Sequence, residues 1–122
     1  MNLDRIVEFA IEEALKSEYK IKLGCVIFNK NKIVSKGHNY KQKSTRSITK
    51  KFLKWEFSLH AEVDAIIKSR TELKGMSLLV VRINNNKKLM YAKPCKHCQE
   101  YIQFVGVKKI YYSSKDGGII CM

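Results

Sequence analysis

The sequence has no run of apolar residues long enough to cross a membrane. A spanning helix needs roughly 20 consecutive apolar residues, and no stretch of the 122 residues approaches that length. The N-terminal segment 1–17 carries four acidic residues among its apolar ones, which breaks the continuous apolar core of a secretory signal. We therefore expect a soluble, cytoplasmic protein without a membrane partner.

Disulfide bonds and domain linkers are also not expected. The chain has four cysteines, and in an intracellular protein these are metal ligands or buried thiols more often than disulfides. No internal repeat or linker divides the sequence. A length of 122 residues is enough for one hydrophobic core but too short for two independent ones. We expect a single domain over residues 1–122.

Acidic residues are few compared with basic ones. Asp and Glu number 11 against 24 Lys and Arg, which gives a formal net charge of +13. Such an excess favours polyanionic or phosphorylated partners. Lysine supplies 20 of the 24 positive charges, and a lysine-rich composition can also reflect genome base bias. An incidental basic surface therefore stands as the alternative to a binding surface.

The first third of the chain shows one helical and one hairpin pattern. Apolar residues in segment 3–15 recur at i, i+3, i+4 and i+7, which predicts a helix of about four turns that packs on a core. Segments 24–28 and 32–36 are β-prone runs around a short polar turn, which predicts an antiparallel hairpin. Cys25 falls inside the first of these strands and is expected to be buried.

Two further helices are predicted. Segment 61–70 suits a short buried helix, with Ser58 as a plausible cap and Gly75 as a stop. Pro94 is expected to open a helix that runs to about residue 105, because proline is favoured in a first turn where the N–H is unpaired anyway.

The strands between these helices indicate the fold class. Segment 77–83 is nearly continuous aliphatic sequence, as in a central strand covered on both faces. Segment 89–92 suits a short strand and segment 107–113 another. A strand, helix, strand order implies a right-handed parallel crossover. We predict a three-layer α/β/α sandwich whose mixed sheet has about five strands, with helices on both faces.

Cys95 and Cys98 form the first chemical signature. The spacing i, i+3 on a helix places both side chains on one face about a turn apart, and two thiolates suit zinc. The third ligand must come from one of three histidines or from water. His97 lies between the cysteines and points off their face, and His38 is expected to be a strand-end side chain.

His60 is better placed, at the start of a helix and two residues before Glu62. Because residues two apart on a regular helix do not share a face, both side chains reach one site only if His60 lies at a non-ideal first turn. Three protein ligands leave one tetrahedral position of zinc for water, as in catalytic rather than structural sites.

The segments His60-Ala-Glu62 and Pro94-Cys-Lys-His-Cys98 resemble the paired H-x-E and P-C-x-x-C signature of zinc-dependent nucleobase deaminases. The flanking segments 37–39, 65–66 and 106–112 are similar to the deoxycytidylate deaminase branch of the cytidine/deoxycytidylate deaminase superfamily. The resemblance covers roughly residues 24–112. It implies the cytidine deaminase-like fold.

The resemblance also implies the chemistry. His60, Cys95 and Cys98 would hold Zn²⁺, which lowers the pKa of water from 15.7 to about 7. Glu62 would move protons while hydroxide attacks C4 of a pyrimidine, releasing ammonia. The expected substrate is a free nucleoside or nucleotide: cytidine, deoxycytidine or dCMP. The family commonly assembles, so we expect a homo-oligomer.

Substrate contacts follow from the resemblance alone. Asn39 would bond the sugar, and the backbone of Ala61 would contact the base edge. The basic, aromatic segment 40–59 borders the pocket in this family, so Trp55 or Phe57 would either stack a base or belong to the core.

Two departures and two alternatives stay open. The chain is shorter than typical deoxycytidylate deaminases, and its first ligand is His where free-nucleoside cytidine deaminases have Cys. The charge of +13 suits a deaminase of cytosine or adenine in single-stranded DNA or RNA. A non-catalytic, zinc-stabilised nucleic-acid binder is the alternative of another class.

Overall fold

The predicted helices and strands are largely present in the structure. The computed structural model describes residues 3–41 and 58–122. The helices within these residues are α1 at Asp4–Ala14, α2 at Ala61–Ser69 and α3 at Lys96–Phe104. The strands are β1 at Lys22–Asn29, β2 at Lys32–His38, β3 at Tyr40–Lys41, β4 at Ser58–Leu59, β5 at Ser77–Ile83, β6 at Leu89–Met90, β7 at Lys109–Ser113 and β8 at Ile119–Cys121.

The main sheet is mixed and has six strands, one more than the number expected from the sequence. Five strands lie in the order β2-β1-β5-β7-β8, and β6 pairs with the end of β5. The predicted hairpin β1–β2 is antiparallel, and β5 is parallel to β7, as the intervening helix α3 requires. Strands β3 and β4 form a separate two-stranded sheet.

Both faces of the sheet are covered by helices, because successive side chains of a strand point to opposite sides. In β1, Cys25 and Ile27 pack with residues of α2 and α3, whereas Val26 and Phe28 pack beneath α1. The side chains of strand β5 alternate between the same two buried faces, which explains its continuous aliphatic sequence. The three-layer α/β/α architecture and the burial of Cys25 are confirmed.

Two glycines allow the helices to approach the sheet closely. A Cβ atom at Gly24 would lie 2.0 Å from the carbonyl oxygen of Ala10 in α1, and one at Gly37 would lie 2.4 Å from the backbone nitrogen of Ala65 in α2. Gly37 pairs with Cys25, the neighbour of Gly24 in β1. Helices α1 and α2 therefore pack closely on the same end of the β1–β2 hairpin, from opposite faces of the sheet.

The start of α2 at Ala61 is confirmed, but its predicted cap and the predicted start of α3 are wrong. Ser58 does not cap α2, because it lies in β4 opposite Lys41, and His60 is the N-cap instead. The left-handed Arg70, with φ 51°, ends this helix before Gly75 is reached.

Pro94 lies before α3 rather than in its first turn, because Cys95 keeps an extended backbone and takes the N-cap position. Gln99 ties Pro94 to the helix by donating from Nε2 to its carbonyl oxygen at 2.7 Å. None of the helices in the described part of the chain is both long enough and apolar enough to span a membrane.

Candidate metal centre and active site

His60 and Cys95 occupy equivalent positions at the starts of two neighbouring helices. Each is an N-cap with an extended backbone, with ψ of 153° at His60 and 167° at Cys95. Neither side chain caps its own helix within the described residues. Because α2 and α3 pack against each other, both side chains face a common point between the two N-termini.

The predicted metal ligands come together at this point. The ligand atoms of His60, Cys95 and Cys98 all lie within 4.8 Å of one another, and Nδ1 of His60 is 3.2 Å from Sγ of Cys98. Zn–S bonds of about 2.3 Å and Zn–N bonds of about 2.0–2.1 Å in a tetrahedron require ligand separations of about 3.5–3.8 Å. The donor set and its spacing therefore fit Zn²⁺.

The two thiols of this cluster differ in environment. Hydrogen bonds with Cys98 and then with His60 lower the pKa of Cys95 to about 3. A hydrogen bond with Cys95 raises the pKa of Cys98, and burial and the charge of Glu62 raise it further. Positive helix N-termini favour thiolates. Since a metal binds both sulfurs as thiolates, its binding must release the proton that Cys98 holds.

Glu62 is a buried carboxylate beside the cluster. It lies in the first turn of α2 with 4% of its surface exposed. Burial raises the pKa of its carboxyl group, and the nearby His60 and a hydrogen bond with Cys98 oppose this. Its Oε1 has no hydrogen-bond partner among the described residues. The extended N-cap at His60 explains how residues two apart approach the same cluster.

A cavity of about 450 Å³ opens next to the metal ligands. The described residues that line it are mostly apolar but include one of the metal-binding side chains, a lysine and an amide. They are Tyr19, Lys20, Ile21, Leu23, Asn39 and His60. A cavity of this size is within the range of small-molecule sites. It would bring a ligand directly against the metal cluster.

Asn39, for which the family resemblance implies a substrate contact, lies on the wall of this cavity. Its Nδ2 donates to the carbonyl oxygen of Ile21 at 2.8 Å, and its Oδ1 accepts from the backbone N–H of Leu23 at 3.0 Å. Asn39 therefore also holds the neighbouring lining residues Ile21 and Leu23 in place. An amide has a second N–H and a second lone pair, so these bonds leave capacity for a ligand.

The other residues singled out from the sequence differ in their placement. Ala61 is fully buried at the start of α2. His97 is exposed on α3, away from the cluster, as expected. Most of segment 40–59, including Trp55 and Phe57, lies outside the described residues.

Sequence reasoning missed the wall formed by residues 19–21 and a hydrogen-bonded pair that braces the end of β2. Oε2 of Glu13 lies 2.8 Å from Nδ1 of His38. A signal was available, because Glu13 falls three residues after Ala10 and seven after Ile6, on the buried face of α1. No comparable pattern pointed to residues 19–21.

The chain matches one known protein family over most of its length. A family model described as the zinc-binding region of cytidine and deoxycytidylate deaminases matches residues 1–114. No curated protein sequence matches the chain significantly.

Solved structures share the fold. The dCMP deaminase of cyanophage S-TIM5 has 23% identity and a TM-score of 0.62, over 94% of this chain and 86% of that chain. Its complex with dCMP and dUMP has 23% identity and a TM-score of 0.61, over 94% and 85%. Cytidine deaminase from Burkholderia pseudomallei has 16% identity and a TM-score of 0.71, over 100% and 92%.

Proposed function

Since the family model spans residues 1–114, the chain belongs to the cytidine and deoxycytidylate deaminase family, and we propose that it deaminates a free pyrimidine nucleoside or nucleotide by hydrolysis. The candidate substrates are cytidine, deoxycytidine and dCMP. The observation that carries this proposal is the buried Glu62 beside three zinc-type ligands at paired helix N-termini.

The proposed chemistry assigns a role to each of these side chains. His60, Cys95 and Cys98 hold the zinc ion. When bound, zinc acts as a Lewis acid that makes water nucleophilic at neutral pH. Glu62 accepts a proton from water and delivers protons to ring N3 and then to the departing amino nitrogen. The balanced reaction converts the cytosine ring and water into the uracil ring and ammonia.

The position of Glu62 suits proton transfer. Its carboxylate is 4% exposed, so bulk water does not compete with the substrate for it. Oε1 lacks a partner among the described groups, which leaves a lone pair for the proton in transit. A buried polar atom without a partner costs about 1–3 kcal/mol, and this cost is consistent with an atom reserved for substrate or water.

The cavity supplies the proposed substrate contacts. Asn39 bonds the sugar with its remaining amide capacity, and the backbone of Ala61 contacts the base edge. Lys20 is the cation among the described lining residues, so it would pair with a 5′-phosphate. The presence of this lysine favours a nucleotide over a nucleoside substrate.

The net charge of +13 favours one competing function, the deamination of cytosine or adenine in single-stranded nucleic acid. That function predicts affinity for oligonucleotides that falls steeply with salt. A non-catalytic binder would hold zinc and nucleic acid without releasing ammonia.

A substrate panel tests these functions together. Zinc-loaded protein is incubated with cytosine and adenine nucleosides, nucleotides and oligonucleotides, and ammonia and the deaminated product are measured. We expect rapid turnover of a free cytosine nucleoside or nucleotide. Turnover of oligonucleotides alone would favour the nucleic-acid function, and binding without ammonia release would contradict a deaminase.

A further inference from the structure

Asp64 is a buried carboxylate on the helix that carries His60 and Glu62, yet it lies outside the metal cluster. It is 1% exposed. Its Oδ2 accepts a hydrogen bond from the backbone N–H of His38 at 3.1 Å and lies 2.9 Å from Nζ of Lys68. Because burial of a carboxylate without partners is costly, these two contacts compensate for the burial of Asp64.

The hydrogen bond from Asp64 to His38 is linked to the cavity wall by the peptide bond between His38 and Asn39. Asn39 follows His38, and its amide group bonds the backbone of Ile21 and Leu23. Both of those residues line the cavity together with Asn39. One chain of hydrogen bonds therefore runs from α2, through the end of β2, to the wall that faces His60.

The same strand end is braced from the opposite face of the sheet. Nδ1 of His38 lies 2.8 Å from Oε2 of Glu13 in α1, and Glu13 also pairs with Lys16 at 2.9 Å. At Gly37, the residue before His38, the backbone of α2 approaches β2 too closely for any Cβ atom. The end of β2 is thus held between two helices, with a buried carboxylate on each side.

We propose that Asp64 is a positioning residue, which sets the cavity wall of Asn39 and residues 21–23 relative to the helix that carries His60 and Glu62. The backbone N–H of Asp64 donates to the carbonyl oxygen of His60 at 3.0 Å, but its carboxylate bonds His38 and Lys68. The side chain therefore acts on the wall through His38 and Asn39. Its effect is on substrate binding rather than on the proton transfer by Glu62. The expected change in KM rests on the proposed function, whereas the expected change in the structure of the wall does not.

The kinetic test compares variants of the zinc-loaded full chain. In Asp64→Ala the acceptor for the His38 N–H is lost, so KM for the preferred substrate should rise at least about tenfold while kcat stays within about threefold. Zinc content should not change. Asp64→Asn keeps an acceptor at the same place, and its KM should stay within about threefold of the parent value.

Two further variants separate the hydrogen bond from fold and charge. Asp64→Glu keeps the charge but displaces the acceptor by one methylene, so KM should rise even if Asp64→Ala fails to fold. Lys68→Met removes the exposed partner and leaves the bond to His38, so its kinetics should match the parent. An unchanged KM in Asp64→Glu, or equal losses of zinc and kcat in every Asp64 variant, would overturn the proposal.

Amide hydrogen exchange gives a readout that does not depend on activity. Segments 19–23 and 37–39 should exchange faster in Asp64→Glu than in Asp64→Asn or the parent, since local opening of the wall becomes easier. Faster exchange in a chain that deaminates nothing would contradict the proposed function and support the positioning role. Unchanged exchange together with an unchanged KM would contradict the positioning role alone.

Discussion

The two cysteines of the candidate metal centre are unequal in exposure and in protonation. Cys95 is exposed and its hydrogen bonds lower its pKa to about 3, whereas Cys98 is buried and its pKa is raised. Helical spacing alone predicted this pair. The approach of His60 and Glu62 was predicted through the family resemblance, because the extended N-cap that permits it leaves no periodic pattern in the sequence.

Replacement of Cys95 by serine should remove most of the zinc. A serine hydroxyl is not a thiolate at neutral pH, so the site keeps only two ligands of the Zn²⁺ donor set. We expect about one zinc per chain in the parent and a small fraction of that in Cys95→Ser. Metal analysis after dialysis against a weak chelator measures this. Cys121→Ser, at an exposed cysteine outside the cluster, should retain its zinc.

At the scale of elements, the end of β2 depends on charged groups from α1. Burial raises the pKa of Glu13, but hydrogen bonds with His38 and Lys16 outweigh it, and the net pKa lies below the ordinary value of 4.5. A carboxylate with a lowered pKa stabilises the fold above its unfolded-state pKa. The contribution is lost as the pH falls through the lower folded-state pKa.

The Glu13→Gln variant should therefore show a pH-dependent loss of stability. The parent should exceed it by about 1–3 kcal/mol in free energy of unfolding near neutral pH. The difference should shrink as the pH falls below 4.5, the ordinary value. Urea unfolding at a series of pH values measures both curves. A difference that stays constant down to strongly acidic pH would contradict the charged pairing of Glu13.

The close packing of α2 on β2 makes a second prediction at this scale. A Cβ atom in Gly37→Ala would lie 2.4 Å from the backbone nitrogen of Ala65, so helix or strand must move. We expect the free energy of unfolding to fall by about 1–3 kcal/mol. Gly118→Ala is the control, because its Cβ atom would meet nothing closer than 3.6 Å. Equal stability of the two variants in urea would show that α2 is not tightly docked.

The elements differed in how well the sequence predicted them. The stripe of α1 and the apolar run of β5 are periodic and buried, so their type and place were confirmed. The cap of α2 and the start of α3 were misplaced, because Ser58 lies in β4 and because Cys95 takes an extended N-cap. The Asp64–His38 bond joins residues 26 positions apart, and no local pattern reports such a contact.

At the scale of the whole molecule, the excess of positive charge allows two interpretations. With 24 basic residues against 11 acidic ones, the general potential would attract any phosphorylated ligand. Alternatively, a single lysine that lines the cavity determines the preference for a phosphorylated substrate. Lys20 lines the cavity, whereas Lys108 is exposed elsewhere, so the two interpretations predict different variants.

Replacement of Lys20 should change substrate selectivity rather than overall activity. In Lys20→Ala, kcat/KM for dCMP should fall about tenfold, which corresponds to the loss of about 1.4 kcal/mol. The value for deoxycytidine should be nearly unchanged, since it carries no phosphate. Lys108→Ala, which lowers the net charge equally, should alter neither. Equal effects of the two variants on dCMP would assign the preference to the general charge.

The measurement closest to the proposed chemistry is ammonia release by the parent and by Glu62→Gln at equal zinc content. Glutamine has nearly the same shape but cannot accept and return a proton, and general acid–base catalysis contributes about 10²–10⁴-fold. We predict that the parent releases ammonia from a cytosine nucleoside or nucleotide, and that Glu62→Gln retains its zinc and loses at least about 100-fold in rate. A Glu62→Gln rate within about threefold of the parent rate would contradict the assigned role of Glu62.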